Sequence, residues 1–319
     1  MIQYDGRAID IAIGAFCLGG EGFAMIYVVL IIIALLVLLP VLLSVFFFKP
    51  FKYTDRWNRP THEDYADENE AASFMSRRSR LAAHIYGAEN KKGTLIFSHG
   101  MGVPSDYYIP EARYLAKAGY RSILFDNTGY WKNKGIFLGF PRAAKDLAAA
   151  IRHFDNGTPL ILFGHSMGAY AVCTTLPEAG ANVKAVVAYS GFDNEPEMIK
   201  EFTDANLKKC KGLVAFLLSA SQFILFPHRF FRSSWKCLKE CGCRAMIIHG
   251  SADEEIAING ASLYAHAVHE KSDMTVTFSP DKEGHNTHMG VVRPVDASGE
   301  INQEVLPKVL QFIDELADK

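Results

Sequence analysis

Leu160-Ile161-Leu162-Phe163-Gly164-His165-Ser166-Met167-Gly168-Ala169-Tyr170-Ala171-Val172 is the stretch whose reading decides the fold. It reads as a short apolar strand, a G-H-S-M-G turn and the small-residue start of a helix. A strand and a helix joined this tightly force the middle residue into a strained turn. A side chain at Gly164 or Gly168 would collide with the neighbouring strand or helix, so both positions need glycine. Ser166, at the apex, then projects its hydroxyl beyond the end of the sheet. The helix that it opens offers backbone N–H groups that favour negative charge nearby. A lone G-x-S-x-G is a modest signal, but one set between an apolar strand and a helix start is strong.

The motif Gly164-His165-Ser166-Met167-Gly168 resembles the nucleophile turn of the α/β-hydrolase family. The resemblance implies a mostly parallel, doubly wound sheet flanked by helices, and a serine nucleophile. The competing reading is an ordinary strand-to-helix turn with a structural serine. Three further segments, at the places the family needs them, argue against it.

Upstream, Thr94 to Ser98 is a short apolar strand ended by His99-Gly100-Met101-Gly102. In the family a His-Gly turn here lends one backbone N–H to an oxyanion hole. The resemblance therefore implies Met101 as one donor and Met167, the residue after the serine, as the other. Acyl transfer builds negative charge on an oxygen, and the loss of one aimed donor costs about 3 kcal/mol. Ile109 to Ala118 reads as a helix opened by Pro110 and stopped at Gly119. Arg121 to Asp126 is the next strand, with Asp126 read as structural. Phe140 to Phe154 is a helix that exits through Asn156-Gly157-Thr158-Pro159. Alternating strands and helices of this kind predict a parallel sheet covered on both faces.

Downstream, Val183 to Ser190 is another strand, and then the alternation stops. Residues 195–242 hold no clear strand and are rich in aromatics, at the place where the family inserts a cap. Leu213 to Phe226 is nearly uncharged but short for a membrane span, which suits a buried or interfacial helix. Arg244 to Gly250 restores the strand pattern. By the resemblance the Asp a few residues beyond it, Asp253, is the triad acid, with Glu254 and Glu255 as chemical rivals that also suit a helix N-terminus. Ala257 to His269 reads as a helix and Met274 to Phe278 as a strand. Glu283-Gly284-His285-Asn286-Thr287-His288 follows, and the family's habit of a Gly before the base selects His285. His288 stands i, i+3 to it, a spacing that also suits a metal pair, but no third ligand is signalled and no metal or other cofactor is expected. Glu300 to Asp314 reads as a closing amphipathic helix.

The N-terminal part is of a different kind. Residues 1–22 are mixed, with Gly14, Gly19, Gly20 and Gly22 arguing against a long helix. Phe23 to Phe48 then runs without a single charge. At 1.5 Å per residue this exceeds the roughly 30 Å hydrocarbon core of a bilayer. A cleaved signal would want a basic start, a shorter apolar core and small residues at its end, whereas Phe46, Phe47 and Phe48 close this run. The expectation is one retained membrane anchor over 23–48, a juxtamembrane connection over 49–80, and a hydrolase domain over 81–319 with its cap at about 195–242. Lys49, Lys52, Arg56 and Arg59 follow the span and Arg7 stands alone before it, which places the catalytic domain on the cytoplasmic side.

The 319 residues carry a formal net charge of −2, which gives no reason to expect a nucleic-acid partner. Six cysteines, three of them at Cys237, Cys241 and Cys243, show no zinc-type spacing and read as reduced thiols. The order Ser166, Asp253, His285 matches that of the family. The resemblance implies a serine hydrolase acting on a carboxylic ester; the apolar run makes it membrane-anchored, and that anchor with the aromatic insertion points to an apolar acyl group on a small-molecule or lipid substrate. A thioesterase, a peptidase or a non-catalytic domain on a hydrolase scaffold are the alternatives.

Overall fold

The computed structural model describes residues 6–48, 60–179, 182–293 and 301–317. The basic cluster Lys49, Lys52, Arg56 and Arg59, on which the orientation rests, lies outside them, as does Glu300. The core is one eight-stranded sheet. Its strands are β1 (Asn69–Ser76), β2 (Ser79–Tyr86), β3 (Thr94–Ser98), β4 (Arg121–Phe125), β5 (Leu160–His165), β6 (Val183–Tyr189), β7 (Arg244–Ile248) and β8 (Thr275–Phe278), in the spatial order β1-β2-β4-β3-β5-β6-β7-β8. β1, β2 and β4 pair antiparallel at one edge, and the strands from β4 across to β8 run parallel.

Burial of the sheet on both faces explains why its strands are apolar runs rather than alternations. Leu160 and Leu162 of β5 pack on one face with Leu147 and Val172, from α3 (Phe140–Phe154) and α4 (Met167–Ala179). Ile161 and Phe163 pack on the other with Leu115 of α2 (Ile109–Lys117) and Val309 of α9 (Leu306–Ala317). Three helices lie in sequence between β6 and β7: α5 (Glu195–Asn206), α6 (Lys211–Leu225) and α7 (Ser234–Cys241).

The chain turns from β3 to β4 on one side and returns to β5 on the other. Crevices at such a switch in strand order are where open α/β sheets hold their ligands. The turn at His99–Met101 and the elbow at Ser166 stand at the ends of these two strands.

Several boundaries differ from the sequence reading. α1 runs from Gly6 to Phe47, so the glycines before residue 23 do not end it. Each costs about 1 kcal/mol relative to alanine, which a helix already propagating through the apolar run can absorb. The segment expected as a plain connection contains β1, an edge strand with Phe74 and Ser76 turned inward. α8 spans Leu263–Glu270 rather than starting at Ala257, because Ser262 caps it and the carboxylate of Glu201 holds the preceding turn through the N–H groups of Ala257 and Ala261. α9 starts at Leu306, six residues after Glu300, with Pro307 in its first turn.

Candidate active site

Ser166 is held at φ +54° between β5 and α4 and is half-buried. A non-glycine residue in the left-handed region costs of order 1–3 kcal/mol and persists only where its surroundings over-determine it. They do so here. The Ser166 N–H donates to the Tyr189 carbonyl at 2.8 Å, and its own carbonyl accepts from the N–H groups of Ala169 and Tyr170 at 2.9 and 3.2 Å. A Cβ on Gly164 would overlap the Gly168 carbonyl, and one on Gly168 would overlap the carbonyl of Ser98 at the end of β3. The two glycines thus let the elbow press against β3.

The same contact brings in the His99-Gly100-Met101 turn. A Cβ on Gly100 would stand 3.5 Å from the Ser166 Cβ. Buried His99 closes this turn. Its Nε2 accepts the Asn127 N–H at 3.0 Å, so Nδ1 carries the proton and donates to the Gly100 carbonyl at 2.7 Å. The Gly100–Met101 peptide bond is trans, so fixing the Gly100 carbonyl turns the Met101 N–H to the opposite side. Met167 is the first residue of α4, where a backbone N–H has no intrahelical carbonyl to bind. Asp126, expected as structural, accepts the Ser105 N–H at 2.8 Å.

Asp253 lies in the turn beyond β7 with its side chain buried. Its carboxylate meets Nδ1 of His288 at 2.9 and 3.0 Å and lies 3.3 Å from His249 Nε2. His285 is elsewhere. Its Nδ1 faces Oδ1 of Asn302 at 3.0 Å, and that amide in turn binds the Gly290 carbonyl and the N–H groups of Glu304 and Val305 just before α9. The pairing of Asp253 with His285 is therefore corrected to Asp253 with His288. The cause is how the loop is pinned. The Asn286 carbonyl accepts the Ala252 N–H at 2.9 Å and lies so close to Gly250 that a Cβ there would overlap it. With residue 286 clamped on the β7 turn, His285 falls on the α9 side and His288 on the Asp253 side.

The charges suit this pair. Burial alone would lower the pKa of His288, but the hydrogen bond and charge of Asp253, with the nearby Glu255 and Glu254, outweigh it and raise the pKa above the ordinary imidazole value. Burial would likewise raise Asp253, and the hydrogen bond and charge of His288 instead hold it below the usual carboxylate value. The Nε2 of His288 lies 3.4 Å from the exposed Glu255 carboxylate. His249 is different: burial lowers its pKa, and its Nε2–H donates to the Ile256 carbonyl at 2.9 Å.

Two residues tie these parts together and were not singled out from sequence. The Gly100 N–H donates to the Tyr108 hydroxyl at 3.1 Å, and Tyr108 donates to His165 Nδ1 at 2.8 Å. His165 Nε2–H then donates to the His288 carbonyl at 3.1 Å. Burial first, then the charge of His288, push the His165 pKa down to about 3, so it stays neutral and keeps both roles. One chain of hydrogen bonds therefore runs from the turn after β3, past the elbow, to the loop that carries His288. The signal was present in sequence only as a His beside Ser166. No group of three His, Cys, Asp or Glu side chains suited to a metal ion occurs among the described residues.

Residues 89–229 match the family model described as serine aminopeptidase, S33. Solved structures agree on the fold at low identity. An esterase of Pyrococcus furiosus matches with a TM-score of 0.60 at 16% identity, over 85% of this chain and 96% of its own. A membrane phospholipase A described as a bacterial virulence factor matches at 0.58 and 15%, over 94% of this chain and all of its own (100%). An acylaminoacyl peptidase of Pyrococcus horikoshii matches at 0.56 and 15%, over 79% of this chain and 41% of its own.

Proposed function

We propose that this chain, an α/β hydrolase, is a membrane-anchored serine hydrolase that cleaves carboxylic esters with apolar acyl groups. The observation that carries the reading is the strained Ser166 elbow together with a buried, hydrogen-bonded Asp253–His288 pair, whose loop is tied to the elbow through His165. A serine hydroxyl is a weak nucleophile at neutral pH, so it needs a base held by a third group. Ser166 Oγ attacks the ester carbonyl while His288 Nε2 takes its proton. Asp253 holds the tautomer with the proton on Nδ1 and stabilises the imidazolium. The N–H groups of Met101 and Met167 receive the oxyanion. The imidazolium returns its proton to the departing alkoxide, which leaves an acyl-enzyme, and water activated by the same imidazole releases the acid.

The anchor is the second part. Within α1, Ala24–Phe47 is long and apolar enough to cross a membrane, its most apolar 18-residue window having a mean hydropathy of 3.4, and its large side chains between Met25 and Leu39 are exposed. Exposed apolar surface on this scale needs a non-aqueous environment. The basic residues after the span favour a cytoplasmic catalytic domain. The phospholipase among the structural neighbours supports a lipid substrate by analogy of fold alone.

A fluorophosphonate probe that labels the wild type and not Ser166→Ala supports the catalytic reading, and absence of labelling in a folded wild type sinks it. A chain-length series of esters, thioesters and peptide anilides then sorts the substrate. Preference for anilides moves the reading to a peptidase, the activity named by the family model's description.

A further inference from the structure

The C-terminal end of α1 is built into the hydrolase domain. Pro40, Ser44 and Phe48, each four residues apart, are buried, while most large side chains from Met25 to Leu39 are exposed. Phe48 packs edge-on against Phe140 of α3, and Phe47 against Phe202 of α5. Gln222 of α6 donates from Nε2 to the Ser44 hydroxyl at 2.6 Å and to the Leu138 carbonyl at 2.8 Å. The helix that would cross the membrane is thus latched to α6 by a buried polar contact.

This latch sets the depth of α6. The uncharged stretch lies between Glu21 and Lys49, and about 20 residues at 1.5 Å each cross the ~30 Å hydrocarbon core. Wherever 20 are taken from that stretch, positions 29–41 are among them. Leu217 of α6 shares a purely apolar cleft with Ile32, Leu35, Leu36, Leu39 and Pro40, all within those positions. One face of α6 therefore stands level with hydrocarbon. Leu218, Ser221 and Gln222 turn to the domain and are buried. Leu213, Phe216, Phe223 and Ile224 form a separate stripe that is 42–67% exposed, at the helical spacing of one face.

We infer that the exposed stripe of α6 is a second membrane contact, dipped into the phospholipid leaflet beside α1, so that the helical insertion meets its ester substrate within the bilayer. The inference rests on the anchored-hydrolase reading. It identifies the occupant of the stripe as lipid acyl chains because the stripe continues the surface of the spanning helix at the same level. A short helix with aromatic residues on one face has the composition of interfacial elements.

The experiment uses the full chain in phospholipid vesicles, with tryptophan placed by Phe216→Trp or by Ile32→Trp and phospholipids brominated along the acyl chain as quencher. The emission of the wild type, from its three native tryptophans, is subtracted. Comparable quenching at both positions is the expected result. Quenching at 32 but not at 216 overturns the inference and leaves the anchor standing, and that is also the outcome if a second copy of the chain covers the stripe. No quenching at either position removes the anchor and the inference together. A second arm replaces Phe216 and Phe223 by serine. The loss of two buried aromatic contacts should slow hydrolysis of a vesicle-embedded long-chain ester about tenfold or more, with a short soluble ester turned over as before. Equal slowing on both esters counts against the inference. Failure of the hydrolase reading shows separately, as absence of fluorophosphonate labelling, and the quenching result stands without it.

Discussion

Replacing His288 and His285 by alanine, one at a time, decides which ring is the base. In His288→Ala the proposed proton acceptor is gone. Loss of such a member costs on the order of 10⁴-fold or more in kcat, or about 5 kcal/mol of transition-state stabilisation at 1.36 kcal/mol per decade. The variant should still fold. Asp253 keeps the N–H groups of Glu255 and Ile256, at 3.0 and 2.8 Å, so its carboxylate is not stranded.

His285→Ala removes one hydrogen bond to Asn302, a loss of about 1 kcal/mol of stability. Asn302 retains its other partners, the Gly290 carbonyl and the N–H groups of Glu304 and Val305. Its kcat should stay within about threefold of the wild type, since nothing that touches the reacting atoms has changed. The assay is steady-state hydrolysis of a short soluble ester, with circular dichroism to confirm that each variant is folded. A folded His285→Ala that is inactive beside an active His288→Ala would refute the assignment.

Four other outcomes follow from contacts already described. His288 must be neutral to accept a proton, and its pKa is raised, so the acid limb of kcat/KM should lie above the ordinary imidazole value, with activity lost as pH falls through it. In Glu255→Gln one carboxylate that favours the charged ring is gone, and the limb should move to lower pH. The side chain of Glu255 is 61% exposed, so this shift should shrink as salt is raised. Tyr108→Phe cuts the link between the Gly100 N–H and His165; kcat should fall with little change in KM, and thermal unfolding should register about 1 kcal/mol. Gln222→Leu leaves the Ser44 hydroxyl and the Leu138 carbonyl without this partner, and unfolding in detergent should show a loss of about 1–3 kcal/mol.

Much of the fold was legible in sequence because this class of sheet writes strands as apolar runs with glycine turns between them. β3, β5 and α3 fall at the expected positions for that reason. β1 was not legible. As an edge strand it buries only Phe74 and Ser76, and its alternation is too polar to separate from a linker. Side-chain direction was legible where backbone constraint dictates it, as at Gly164 and Gly168. It was not legible in the 283–288 loop, where two histidines three residues apart compete. What chooses between them is the hold of the β7 turn on the Asn286 carbonyl and the presence of Asn302, seventeen positions on from His285. Neither partner can be read from local spacing.

The same distinction explains why the polar groups of the site are linked rather than independent. Ser166 and the turn at Gly100 are held by steric contact, which leaves no freedom to correct an error in position. His288, the proposed base, sits on a loop, which is free to shift unless something ties it down. Clamping the loop at residue 286 fixes its backbone, and the Asp253 carboxylate fixes the ring. The neutral His165 ring, bonded to Tyr108 on one side and to the His288 carbonyl on the other, sets that loop against the rigid elbow. A protonated His165 could not accept from Tyr108, so the low pKa that burial imposes on it is a condition for the link and not a by-product. Positioning of this kind acts on the distance between base and nucleophile. A displacement of about 1 Å there can cost 10²-fold in rate with no reacting group altered. Breaking the link from the Tyr108 side should therefore slow turnover while leaving the acid limb of the pH profile in place, because the charges around His288 are untouched.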